Sequence, residues 1–409
     1  MKEQNKQILS FDELSAKLME ELSRKCYGSE TMDNYRRALS RIGRFMDEEG
    51  LCDYSGEVGE AFIAARISGA YISESHLKFT QTVVRRLNDV SKGIGYRLIK
   101  SKTVLLTPPQ YSKPLESYLQ HCQSHGNKEC TITWKRSICC KFLCSLTSLG
   151  CLSVDDISTD YICRTIVCHT NKDAYAVVRA FLQHLFQTNI LKIDYSDIIP
   201  KYSRRKTLPT AYSIDEVQQL EAIANRTTKV GKRDYAALLL ATRLGLRSGD
   251  IVRLTYENID YVTNTISLVQ EKTNQPLTLP LLSEIREAIN DYVRCARPNS
   301  DSKYIFLGAN APFDRMSTSA MRHALTKYFS DAGIDISGKK HGPHSLRSSL
   351  ASSMINDGTP YEVVRRLLGH SDPDAVKHYA KVDIEKLRCY SIDVPLPSGK
   401  FKDILAGRA

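Results

Sequence analysis

The stretch NTISLVQEKTNQPLTLPL, residues 264–281, breaks the rhythm of an otherwise helical chain. In NTISLVQ and PLTLPL the residues are β-rich and alternate, and EKTNQ between them is turn-like, so the segment reads as a β-hairpin. On both sides the spacing returns to helical steps. Upstream, Ser213-Ile214-Asp215-Glu216 has the form of a capping box, and Val217, Leu220 and Ile223 continue its helix. YAALLLATRLG, residues 235–245, is nearly all apolar and belongs at the centre of a domain. Downstream, helices are expected over 316–332, 344–356 and 360–368, with a short one after Pro373. Residues 213–409 therefore read as a mostly helical domain with a small sheet inserted, and the fold class as mainly α with a small β-sheet.

The first 200 residues read as helical throughout. In SETMDNYRRALSRIGRFMDEEG, Met32, Tyr35, Leu39, Ile42 and Phe45–Met46 recur at steps of three and four, and Gly50 ends the helix. About a hundred residues later, CTITWKRSICCKFLCSLTSLG carries Trp134, Ile138, Phe142 and Leu146 on one stripe and ends at Gly150. Both segments place two basic residues after an aromatic, Tyr35-Arg36-Arg37 and Trp134-Lys135-Arg136. Further helical patterns follow each, near 60–67 and 77–90 in the first block and near 161–167 and 174–187 in the second. One four-helix module is thus expected twice, over 1–107 and 108–200. Pro108-Pro109 marks the break between them, and a basic linker over 201–212 leads to the last domain.

The chain has 409 residues and a formal net charge of +11, of which residues 201–409 carry +8. Such an excess suits a polyanionic partner. Arg204, Arg205 and Lys206 in the linker read either as a strap along phosphates or as a solvated hinge. The start of the chain has no apolar stretch followed by a small-residue cleavage site, and no apolar run is long enough to span a bilayer. The expectation is a cytoplasmic protein with no membrane association and with reduced cysteines. Eight of the 12 cysteines fall between Cys122 and Cys168, at spacings too irregular for a zinc site. They are expected to be small buried hydrophobes.

Several residues of the last domain have a defined mount. Arg247 follows Gly245, expected as a left-handed helix end, with Ser248 as the next N-cap, so a tight turn holds the arginine rigidly enough to serve a phosphate. His344 and Arg347 stand three apart at a helix start whose Pro343 fixes φ and whose amides favour an anion. A metal is the rival ligand for His344, although no second histidine or carboxylate stands at the right spacing within that helix. Lys272 sits in the hairpin turn, from which it can reach into a cleft. Thr359-Pro360-Tyr361-Glu362 reads as a capping box with proline at the first helical position, Gly369 closes that helix, and His370 comes directly after. Tyr379 lies on a separate short helix opened by Asp372-Pro373.

Taken together these residues resemble the tyrosine recombinase (phage integrase-like) family. Its pattern is an Arg in a GLR..D turn, a Lys on a β-hairpin, a His-x-x-Arg pair, a His after LG, and a Tyr nine residues beyond. Arg247, Lys272, His344, Arg347, His370 and Tyr379 match it in order over roughly residues 207–385. Residue 348 is Ser where many relatives carry a second His. The resemblance implies that tandem core-binding-like modules precede a catalytic domain and clamp a DNA duplex; Arg36, Arg37, Lys135 and Arg136 are their candidate contacts. It implies attack of Tyr379 on a backbone phosphodiester, giving a 3′-phosphotyrosyl bond, with His344 as proton acceptor or orienting group. Lys272 would be the general acid, Arg247 and Arg347 the phosphate forks, and His370 a hydrogen-bond donor. Asp250 reads as a supporting or capping group. No cofactor or metal is implied. The partners implied are double-stranded DNA with specific sites, a homotetramer on two such sites, and accessory recombinase or DNA-bending proteins. Within this chemistry, integrase or transposase of a mobile element is the expected role, a resolvase of chromosome or plasmid dimers the alternative, and a catalytically silent DNA-binding protein a third.

Overall fold

The computed structural model describes residues 9–68, 73–95, 106–168, 172–202 and 211–369. The first group of helices comprises α1 (Phe11–Arg24), α2 (Ser29–Glu48), α3 (Gly56–Ser68) and α4 (Glu74–Ser91). A capping box between Ser10 and Glu13 starts α1. Leu14, Leu18 and Leu22 of α1 bury against Tyr35, Leu39 and Ile42 of α2, Phe62 of α3, and Val83, Val84 and Leu87 of α4.

The second group repeats this order with α5 (Ser112–Ser124), α6 (Glu129–Ser148), α7 (Thr159–Cys168) and α8 (Lys172–Gln187). Its own core gathers Leu115, Tyr118, Phe142, Leu146, Ile162 and Phe181. The likeness extends to the helix ends. α6 starts and stops 100 positions after α2. The amide of Leu51 bonds Met46 O at 2.8 Å and that of Cys151 bonds Leu146 O at 3.1 Å, each after a glycine at positive φ, Gly50 and Gly150. Before the same helices, Tyr27 N bonds Leu22 O at 3.2 Å and Asn127 N bonds Cys122 O at 3.1 Å.

Tyr35 and Trp134, the two aromatics followed by basic pairs, do not hold equivalent helix positions. Matching Tyr35 with Trp134 implies a shift of 99, whereas the helices are offset so that Tyr35 stands against Lys135. One residue turns a helix by about 100°. Trp134 therefore leaves the buried stripe and is 45 % exposed, while Ile132 joins Cys139, Phe142 and Leu146 inside. Of the cysteines expected to be buried, Cys122, Cys139, Cys140 and Cys151 are, Cys144 is half-buried, and Cys130 and Cys163 are exposed. Burial pushes the Cys139 thiol up, which keeps it protonated and hydrophobic in character.

The last group runs α9 (Ile214–Ala222), α10 (Lys229–Thr242), α11 (Ser248–Val252), β1 (Ile259–Asp260), β2 (Thr265–Val269), β3 (Pro276–Pro280), α12 (Ser283–Cys295), α13 (Thr318–Asp331), α14 (Pro343–Asn356) and α15 (Tyr361–Leu368). The fold class is mainly α with one small sheet, as the sequence implies. α10 is the axis: every residue from Ala236 to Thr242 is buried, and α9, α11, α12, α13 and α14 all pack on it. The capping box of Ser213 and Glu216 starts α9, its two bonds measuring 2.7 and 3.1 Å. The hairpin pairs Ile266 with Leu279 and Leu268 with Leu277 in an antiparallel register, burying Ile266, Leu277 and Leu279. On the exposed face the hydroxyls of Ser267 and Thr278 meet at 3.0 Å. β1, which adds a two-residue edge, and α12 were not among the expected elements.

Two cap assignments change. Pro360, not Thr359, is the N-cap of α15: its carbonyl accepts from Val363 N at 2.9 Å. The Thr359 amide instead closes the end of α14, bonding Met354 O at 2.9 Å beyond Gly358 at positive φ. Likewise Arg247, not Ser248, is the N-cap of α11, its carbonyl receiving Asp250 N and Ile251 N, both at 2.9 Å. No helix among the described residues is long and apolar enough to cross a membrane.

Candidate active site

Arg247 is half-buried on the turn between α10 and α11. Gly245 makes that turn at φ 61°, and a Cβ there would lie 2.9 Å from a Leu368 methyl. The Arg247 Nη1 donates to Gln270 Oε1 at 2.7 Å. Asp250, one turn into α11, accepts from the Glu271 amide at 2.9 Å through Oδ1. The Glu271 carboxylate in turn pairs with Arg253. Both residues that precede Lys272 are thus tied to the helical body, and Lys272 stands exposed in the hairpin loop beyond them. Burial raises the Asp250 carboxyl above the ordinary aspartate range, against the pull of the Glu271 amide and of Arg247 and Arg347.

α14 opens at Gly342, φ 124°, with Pro343 in its first turn. His344 sits at this end and is exposed. Partial desolvation by the surrounding protein depresses its imidazole below the ordinary value, and the positive charges of Arg347, Lys272 and Lys340 add to that effect. The ring is therefore neutral at pH 7, which suits a proton acceptor.

Arg347 differs from its expected setting. It is only 2 % exposed, and its guanidinium donates to Gly245 O at 2.7 Å through Nη1 and to Leu368 O at 2.6 Å through Nη2. It fastens the Arg247 turn to the end of α15. Leu368 O receives a second donor, Gln270 Nε2, at 3.1 Å. Arg247, Gln270, Leu368 O, Arg347 and Gly245 O thus form a chain of four hydrogen bonds across four elements, its two ends joined by the backbone of residues 245–247. Gln270, fully buried, was not singled out from sequence; a glutamine at a strand end carries no signal of its own.

Lys272 and Arg347 thus place positive charge near His344, and Arg247 and Arg347 do so near Asp250. His370, which follows Gly369 directly, and Tyr379 lie outside the described residues, as do Arg204, Arg205 and Lys206. Of the other candidate contacts, Arg36 pairs with Asp33 and Arg136 with Glu116 at 3.0 Å. Lys135 turns inward to Cys122 Sγ at 3.3 Å and over the Tyr118 ring, whereas Arg36, Arg37 and Arg136 are exposed. Among the described residues no group of three or more His, Cys, Asp or Glu side chains is placed to hold a metal ion.

The domain is mostly helical with an inserted hairpin; Arg247 stands on the turn before α11, Lys272 in the hairpin loop, and His344 and Arg347 in the first turns of α14. The chain belongs to the phage integrase family of tyrosine recombinases, whose model matches residues 213–386. Two relatives from Sinorhizobium fredii are named "Putative integrase/recombinase y4gC" and "Putative integrase/recombinase y4rA". The first is 32% identical over 46% of this chain and 97% of its own length. The second is 27% identical over 85% of both. Among solved structures, a lambda integrase dimer bound to a COC′ core site superposes with a TM-score of 0.53 at 16% identity, covering 79% of this chain and 90% of that one.

Proposed function

We propose that this protein is a site-specific recombinase that cuts and rejoins DNA strands through a tyrosine-linked intermediate, on behalf of a mobile genetic element. What supports the reading is that hydrogen bonds tie together the Arg247 turn, Arg347 and the residue two before Lys272, with His370 and Tyr379 following at the family spacing in the sequence. The likeness to y4rA, named a putative integrase/recombinase, runs along most of both chains and supports the integrase reading.

In this mechanism the Tyr379 hydroxyl attacks a backbone phosphorus in line and releases a 5′-oxygen. A phenol of pKa about 10 is a weak nucleophile at pH 7 and needs a base beside it. His344, held neutral, accepts or orients the phenolic proton. Lys272 delivers a proton to the departing oxygen from the hairpin loop. Arg247 presents its guanidinium to the non-bridging oxygens, and loss of such a donor slows a reaction by about 10²–10³. Arg347 locks the Arg247 turn, and His370 donates to the same phosphate. The phosphotyrosyl bond retains the energy of the broken phosphodiester, so religation needs no nucleotide. The two helical modules grip the duplex, Arg36, Arg37 and Arg136 being exposed contact candidates, and the active form is a tetramer on two sites.

The test is to incubate the protein with sheared DNA from the host strain, denature it, and sequence what stays bound. The account predicts recovery of a discrete site with inverted repeats flanking a short spacer, at the ends of a mobile element. Recovery of a single chromosomal or plasmid dimer-resolution site would assign the resolvase role instead. Recovery of no covalently held DNA would refute the enzymatic reading.

A further inference from the structure

We propose that Gln270 is a positioning residue for the strand-cutting step, setting the Arg247 guanidinium, the Lys272 loop and the chain leading to His370 relative to one another. The inference rests on the recombinase reading above. Gln270 is fully buried at the end of β2. Its Oε1 accepts from Arg247 Nη1 at 2.7 Å and from Thr273 Oγ1 at 2.8 Å, and its Nε2 donates to Leu368 O at 3.1 Å. The orientation of the amide is fixed by chemistry, because an arginine can only donate and a carbonyl can only accept.

Its backbone is held as well. Gln270 N donates to Gln275 O at 2.9 Å and Gln270 O accepts from Asn274 N at 2.8 Å, which closes the loop that carries Lys272. One side chain therefore joins three separate pieces of the site. Arg247 is on the first, Lys272 is two residues along the second, and Leu368 on the third is two residues before His370.

An amide is costly at a buried position unless its polar atoms are matched, and an apolar side chain of the same size would fill the space more simply. The surroundings are shaped to the amide. Gly369 turns at φ 60°, and a Cβ on it would come within 2.5 Å of Gln270 Nε2. The glycine thus serves both the left-handed end of α15 and the close approach of Gln270.

The test uses the full chain and the duplex recovered by the trapping experiment, nicked so that the cleaved strand is lost and the adduct accumulates. Gln270→Met keeps volume and removes every side-chain hydrogen bond; Gln270→Glu keeps the acceptor for Arg247 and Thr273. Displacement of reacting groups by about 1 Å slows a reaction by about 10². Gln270→Met is expected to slow adduct formation by about that factor while its Kd for the duplex stays within about threefold. Gln270→Glu is expected to recover much of the rate. Thr273→Val, a mild change in the loop, is expected to slow it about threefold. A packing role gives the reverse order, with Met close to wild type and Glu, a buried charge, the worse variant. That order, or wild-type rates in all three variants, overturns the proposal. If wild-type protein traps no DNA at all, the recombinase reading itself is at fault, a result distinct from a failure of Gln270 alone.

Discussion

His344 owes its depressed pKa to desolvation and then to the charges of Arg347, Lys272 and Lys340, and this makes the reaction's pH dependence a residue-scale signature. The acid limb of the rate of adduct formation is expected below 6.5, the ordinary histidine value. Lys340→Gln removes one positive charge and is expected to move that limb upward; a limb that stays put would count against the electrostatic account. The sign for stability follows from the same shift. The folded state favours the neutral ring, so the contribution is full above about pH 6.5 and is lost as pH falls through the folded value. Gly369 makes a second residue-scale case. Its φ of 60° and the 2.5 Å approach to Gln270 leave no room for a methyl group, and Gly369→Ala is expected to cost about 1–2 kcal/mol in urea unfolding. Arg247 and Lys272 were legible as candidate site residues because family spacing marks them. Gln270 was not, because its role arises from contacts to residues 23 and 98 positions away.

Among the elements, those that declare themselves by periodicity were legible: the hairpin by its alternation, α10 by its apolar run, and α2 and α6 by steps of three and four. β1 was invisible because a two-residue edge is too short for a period. α12 was missed although Ile285, Ala288, Ile289 and Tyr292 have helical spacing; its N-cap is Leu282, which makes no side-chain cap and gives no start signal. Caps divide in the same way. Ser213 and Glu216 form the box that the sequence spells, whereas Thr359 closes α14 through its amide, because Gly358 ends that helix first. Ser213→Ala is therefore expected to lose about 1 kcal/mol, and Thr359→Ala about 0.5 kcal/mol or less. Thermal or urea unfolding of the two variants checks the contrast; equal losses would contradict the cap assignments.

For the whole molecule, the formal net charge of +11, most of it in residues 201–409, suits the polyanionic partner proposed above. Affinity for the recovered duplex is expected to fall steeply with salt, log K declining linearly with log salt as counterions return to the phosphates. A flat response would remove the basis for reading the charge as functional. The two helical blocks were legible by periodicity, about a hundred residues apart, but their offset was not, since an aromatic followed by two basic residues recurs at a shift of 99. Only the buried faces and matched caps fix it at 100. The central claim concerns one atom, the Tyr379 hydroxyl. The direct measurement is mass spectrometry of the nuclease-trimmed, protease-digested adduct. A nucleotide attached to the peptide containing Tyr379, and no adduct from Tyr379→Phe, is the predicted result. Attachment to another residue, or an adduct that persists in Tyr379→Phe, would contradict it.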